Sequence, residues 1–218
     1  MRSGAAHGLT AAAAPALMAA ALATPFLRER RAVWGAGRGL AARRHPGDEL
    51  VARPRWGWTH AVAIDAPAAA VWPWLAQIGA DRAGFYSYTW LENLAGCRIR
   101  DADRVHPEWE AREGDGLLLH PRVPPLRIVE VRRGRHVVAH GPADEAARRA
   151  GRPWVEVSWL FLVEPLGPGR SRAVSRYRCA TSDDRATRLR FGPALVEPIG
   201  SVMDRRMLLG LRRLAQPA

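Results

Sequence analysis

The residues best suited to chemistry fall in three stretches. The first is GFYSYTWLENLAG, Gly84 to Gly96, which places Phe85, Tyr86, Tyr88 and Trp90 within six residues and Glu92 and Asn93 just beyond. The chain has sixteen Phe, Tyr and Trp in all, so a quarter of its aromatic surface is concentrated there. Such a surface offers broad apolar contact with hydroxyl handles, the make-up of a wall against which a small molecule binds. Core packing is the plainer alternative. The second stretch, DADRVHPEWE, gathers Asp101, Asp103, Arg104, His106, Glu108 and Trp109. A carboxylate beside a histidine can move protons, but nothing in the spacing fixes their mutual geometry, and the stretch reads as a solvated loop with internal ion pairs. The third is the pair His136 and His140. On a helix that spacing suits zinc; in the alternating segment RHVVAHG it falls on a strand, where four residues span about 13 Å, too far to share one ion. No thiol pair assists. No glycine-rich phosphate loop or nucleophile elbow is present, and GRGLA and GPGRS read as turns. No metal and no cofactor are expected.

Composition narrows the classes further. The 218 residues suit one domain with an appendage. The formal charge is +12, and all 33 basic residues are Arg. An Arg-only, Ala-rich bias reflects coding composition more than function. With no zinc-finger spacing, RNP-type strand or clear helix-turn-helix, nucleic acid is not an expected partner. Cys97 and Cys179 are the only cysteines and read as small buried apolar residues.

The N-terminus stands apart. Residues 8–27, GLTAAAAPALMAAALATPFL, carry no charge and are followed by RERR. The length matches a bilayer span, although the Ala content and two Pro weaken the driving force. A cleaved signal and a loose tail are the alternatives. If inserted, the Arg block puts the rest of the chain on the cytoplasmic side. The expected location is therefore the cytoplasmic face of a membrane, or else the cytoplasm. Residues 28–55 read as a basic linker: residues 1–55 hold nine Arg against Glu29, Asp48 and Glu49, half of the net charge.

The elements that must position the candidate residues lie in 56–218. WTHAVAID alternates as a strand. A helix follows, capped by Asp65, kinked at Pro73 and ending at Gly79. A second short helix spans Tyr88 to Leu94, on which Trp90, Leu91 and Leu94, together with Phe85, are expected to anchor the segment. GDGLLLHP, LRIVEV and RHVVAHG read as strands, and WVEVSWLFLVEPLGPGRSRAVSRYRCA as a long hairpin. Its inward sets are expected to be Val155, Val157, Trp159, Phe161 and Val163, and Ala173, Ser175, Tyr177 and Cys179. The chain ends in a helix carrying Met203, Met207, Leu211 and Leu214 on one face.

This order, with PGDELV, AVAIDAPAAAVWPWLAQIG, GFYSYTWLENLAG, DADRVHPEW, GDGLLLHP and MDRRMLLGLRRLA, is similar to the START-like superfamily (SRPBCC), in particular to an actinobacterial branch of it. That superfamily includes START lipid-transfer domains, birch-pollen-allergen-like proteins and polyketide cyclases or dehydrases. The resemblance, over about residues 45–215, implies an α+β helix-grip fold: a curved antiparallel sheet of about seven strands around a long C-terminal helix, with two short helices after the first strand. It also implies an internal cavity. The expected function is binding of a small apolar or amphipathic ligand, the alternative being a cyclase or dehydrase acting on a polyketide-like or lipid-like substrate. The expected ligand-facing residues are Tyr86, Tyr88, Trp109, Val157, Trp159, Phe161, Ser175, Tyr177, Met203 and Met207. Those inward strand sets contain no carboxylate and no His, which favours binding over catalysis.

Overall fold

A computed structural model describes residues 24–216. Two short helices come first, α1 (Pro25–Ala32) and α2 (Gly37–Ala41). Then follow β1 (Trp56–Ile64), α3 (Ala68–Ala76), α4 (Thr89–Leu94), a 3₁₀ turn at Pro107–Trp109, β2 (Gly116–Leu117), β3 (Leu126–Arg132) and β4 (His136–Gly141). The chain closes with α5 (Glu145–Arg149), β5 (Val155–Gly167), β6 (Arg170–Thr181), α6 (Arg185–Phe191) and α7 (Val196–Ala215). The strands form one curved, open antiparallel sheet in the order β1-β6-β5-β4-β3-β2.

The sheet has six strands among the described residues, against about seven expected. Only Gly116 and Leu117 of GDGLLLHP join the ladder. Pro121, Pro124 and Pro125 follow, and proline cannot donate to a ladder. Helix α3 departs from expectation at both ends. Its N-cap is Pro67, with no side-chain cap, because Asp65 accepts from Arg170 instead at 2.9 Å. It ends at Ala76, three residues past Pro73, whose missing N–H removes a helical bond. Helices α5 and α6 were not anticipated; Asp144 and Asp184 cap them by accepting backbone N–H bonds.

Both faces of the sheet are covered. On the concave face α7 lies against β1 and α3, and Ile64, Val71, Val163, Met207, Leu208 and Leu211 are among the residues sealed in the main core. On the convex face Leu160, Leu162, Val174, Ala61 and Val138 form a smaller cluster under Leu40 and Leu50. Residues 28–55, expected as a linker, thus carry two helices and cover the back of the sheet. Asp48 fixes them there, accepting from the Arg176 guanidinium at 2.7 Å, while Arg178 donates to the Val51 carbonyl. Two Arg residues of β6, Arg176 and Arg178, thus hold this cover down. Residues 8–23 lie outside the described residues, and no described helix is long and apolar enough to cross a membrane.

Candidate ligand-binding site

Cross-strand register builds the floor of a cavity. Trp58 of β1 faces Tyr177 of β6, Tyr177 faces Trp159 of β5, and Trp159 faces Ala139 of β4. Directly opposed residues share a face of the sheet, so three large rings lie side by side. Trp58 stacks on Tyr177 at 4.7 Å, and Trp159 meets Tyr177 edge-on at 5.7 Å. The small Ala139 leaves room beside the Trp159 indole. The next row holds His60, Ser175, Phe161 and Val137.

Helix α7 supplies the roof. Ile199, Gly200, Met203, Asp204 and Met207 line it at helical spacing. A Cβ on Gly200 would lie 2.8 Å from the Trp58 ring, so glycine lets the helix descend onto the indole. The third wall comes from the aromatic segment and the residue after it: Phe85, Ser87, Leu91, Glu92, Ala95 and Cys97, with Leu119 from beyond β2. Together they enclose about 580 Å³.

That third wall is clamped to the roof. The Ser87 hydroxyl donates to the Met203 carbonyl at 3.0 Å. Tyr86 adopts φ +54°, a left-handed conformation that a bulky side chain rarely takes. It is held there by three bonds: its N–H donates to Asp101, its hydroxyl donates to the Trp74 carbonyl, and the Gln77 amide donates to that hydroxyl. Gly210 of α7 lies so close that a Cβ would be 2.3 Å from the Tyr86 carbonyl oxygen. Asn93 brackets Ile99, donating to its carbonyl and accepting from its N–H, which locks the loop after α4.

Two carboxyl groups reach the cavity wall, and they are differently served. Asp204 is buried and saturated: one oxygen lies 2.6 Å from His60 Nδ1, and the other accepts from the Ser175 hydroxyl, which itself accepts from Trp159 Nε1 at 2.9 Å. His60 Nε2 lies 2.9 Å from the Arg31 carbonyl of α1, an acceptor only. Both ring nitrogens therefore face acceptors. Glu92 is 4% exposed, and neither of its oxygens has a partner. Burial, and then the nearby Asp101 carboxylate, push its carboxyl up to about 7. Burial and Glu92 together raise the Cys97 thiol. Trp58 Nε1 is the other unpartnered polar atom on this wall.

The expected ligand-facing residues separate into two groups. Trp159, Tyr177, Met203 and Met207 line the cavity together. Val157 and Phe161 share the concave face but are buried in the core, and Ser175 lies beneath the Trp159 indole. Tyr86 is 3% exposed with its hydroxyl spent on protein partners, Tyr88 lies under the Arg206 guanidinium, and Trp109 stacks on His106 at 3.9 Å beside a separate polar depression. Trp90 and Leu94, expected as anchors, are 68% and 77% exposed; Phe85, also expected as an anchor, is buried, together with Ala83. Asp101, read as part of a solvated loop, accepts from Tyr86 N–H and from the Thr89 hydroxyl. Concave-facing groups also include His60, Asp204 and Glu92, so the absence of acid and base seen in the β5 and β6 sets does not extend to the whole cavity. The α7 stripe carried the signal for Asp204, which lies three residues before Met207 on the same face. Among the described residues no cluster of His, Cys, Asp and Glu is placed to hold a metal.

A long C-terminal helix crosses the concave face of a curved antiparallel sheet, two short helices follow the first strand, and a cavity lies between. The fold is a helix-grip. Solved structures similar to this helix-grip domain include a hypothetical protein from Helicobacter pylori, at 13% identity and TM-score 0.48, covering 80% of this chain and 96% of that one. Others are the Zhui aromatase/cyclase from Streptomyces sp. R1128, at 13% identity and TM-score 0.34 over 73% and 93% of the two chains, and an Arabidopsis thaliana member of the major latex protein family, at 15% identity and TM-score 0.27 over 71% and 94%. No family model and no curated protein matches the chain. The chemistry of the helix-grip cavity is therefore read from its own residues.

Proposed function

We propose that this domain binds a small apolar or amphipathic molecule between α7 and the sheet. The supporting observation is the cavity wall: Trp58, Tyr177, Trp159, Phe85, Met203 and Met207 around about 580 Å³, with few polar groups. Small-molecule sites have this size and make-up. Protein interiors otherwise close to near-crystalline density and leave few voids larger than a water molecule. The alternative, a cyclase or dehydrase, needs an acid and a free base facing one substrate. Here the lining groups able to exchange protons are two carboxyls, with the Cys97 thiol and the Tyr177 phenol both raised above their ordinary values, and both Asp204 oxygens are engaged. Binding is the reading this arrangement favours.

The same proposal keeps the domain at the cytoplasmic face of a membrane through residues 8–27, on the strength of that uncharged run and the Arg28, Arg30 and Arg31 flank. Fractionation of the full-length protein at low expression tests it, and recovery entirely in the soluble fraction overturns it.

The test of binding is native mass spectrometry of the purified full-length chain beside Met203→Trp, which fills the cavity from the roof. The wild type is expected to carry a co-purifying molecule that the variant, equally folded by circular dichroism, lacks. Equal occupancy in both, or none in either, overturns the reading.

A further inference from the structure

We propose that the ligand is an amphipathic amine, its cationic head held by Glu92 and its apolar body laid along Trp58, Tyr177 and Trp159. This rests on the binding reading above and gives its chemical class. Three observations carry it.

The first is the orphaned acid. Glu92 lines the cavity, is 96% buried, and neither oxygen meets a donor. Buried carboxyl groups are ordinarily satisfied, since an unmade bond to one costs more than a neutral one. Two unused acceptors at the end of an apolar chamber complement an ammonium, which brings three donors and the opposite charge.

The second is the sign of the wall. The chain has 33 Arg and a net charge of +12, yet the lining side chains include Glu92 and Asp204 and no Arg, while Asp101 adds its charge behind Glu92. The groups facing Glu92 are Cys97 and Asp101 on the loop after its own helix; across the cavity α7 presents Asp204, already shared between His60 and Ser175. On that roof helix Arg206 lies over the Tyr88 ring, outside the lining. An anionic head, whether carboxylate or phosphate, would enter among acids with no cation to receive it.

The third is the floor. The faces of Trp58, Tyr177 and Trp159 take apolar mass, and ring faces also attract a cation. With Glu92 held near 7, an entering ammonium displaces a proton from the fraction of molecules in which that acid is protonated.

The experiment is calorimetric titration of the full-length protein with decylamine, decanol and decanoate, at matched concentrations below micelle formation. Decylamine is expected to bind more tightly than decanol by about tenfold or more, the size of a charge-assisted hydrogen bond. Decanoate is expected to bind most weakly, although the +12 surface would itself attract an anion. Decylamine affinity should rise between pH 6 and pH 8, with proton release read as an observed binding heat that varies linearly with buffer ionisation heat. Glu92→Gln should erase the amine preference and the proton release, so that the variant binds decylamine no more tightly than decanol. If decanol or decanoate binds best, or if Glu92→Gln keeps the amine preference, the amine inference falls and the cavity reading survives. If none of the three binds and Met203→Trp changes nothing, the cavity reading falls with it.

Discussion

Replacing Glu92 by glutamine should shift the stability of the ligand-free protein more favourably in alkaline solution than in acid. The carboxyl is buried without a partner, and its proton is held up to about 7 against an ordinary 4.5. A folded-state value raised above the unfolded one means that the folded chain binds more protons between the two, so stability falls as pH rises through that window. The gap is about 2.5 pH units at about 1.4 kcal/mol each, so the ionised group costs the fold about 3 kcal/mol at pH 8, and most of that cost is absent at pH 5. For a chain of this length the penalty corresponds to roughly 6–12 °C in Tm. Glutamine has its own unsatisfied amide, which lowers stability by a similar amount at both pH values. The informative quantity is thus the double difference: Tm of the variant minus that of the wild type, at pH 8 minus the same at pH 5. Thermal unfolding followed by near-UV circular dichroism gives it directly, and it should be positive by several degrees. A variant whose Tm runs parallel to the wild type from pH 5 to pH 8 would refute the reasoning, because Glu92 would then titrate as a solvated or partnered acid does.

Tyr86→Phe removes a hydroxyl that donates to the Trp74 carbonyl and leaves a donor of Gln77 short, so it should lower stability by about 1–3 kcal/mol in urea unfolding while leaving ligand affinity unchanged. Asp204→Ala removes the acceptor shared by His60 and the Ser175 hydroxyl and should cost about 1–3 kcal/mol for each group left unpaired, read by the same unfolding curves. Trp90→Ala, on a side chain 68% exposed, should change unfolding free energy by no more than about 0.5 kcal/mol. Gly210→Ala forces a methyl against the Tyr86 carbonyl and should destabilise by about 1–3 kcal/mol, measurable as an earlier thermal transition.

Period and punctuation made most of the scaffold legible. The alternation in WVEVSWLFLVEPLGPGRSRAVSRYRCA marked both the hairpin and its concave face, and the Met203, Met207, Leu211 stripe marked the helix that covers it. Four of the ten expected ligand-facing residues line the cavity for that reason: their faces follow from local period alone. Tyr86 failed because its orientation depends on a positive φ and on Gln77, Asp101 and Gly210, partners that no short-range pattern announces. Trp90 and Leu94 failed because α4 is six residues long and lies at the rim, where an apolar stripe need not face inward. Glu92 was in view from the start, but its isolation is a property of packing. Residues 28–55 looked like a linker because their cover over Leu160 and Leu162 is fastened mostly by Arg176, Arg178 and Asp48, which hydrophobic periodicity cannot register.

The joint between α1 and α7 has a mechanical consequence. Glu197, in the first turn of the roof helix and 1% exposed, takes Arg28 at 2.7 Å and Arg31 at 3.5 Å, and the Arg31 carbonyl is met by His60 from the sheet. The end of the roof nearest Ile199 and Gly200 is therefore riveted to the helix that begins where residues 8–23 leave off. A hinge that lifted that end of α7 would have to shear these ion pairs or carry α1 with it. Force applied to the chain ahead of Thr24 is thus delivered through α1 to the roof of the cavity as well as to β1.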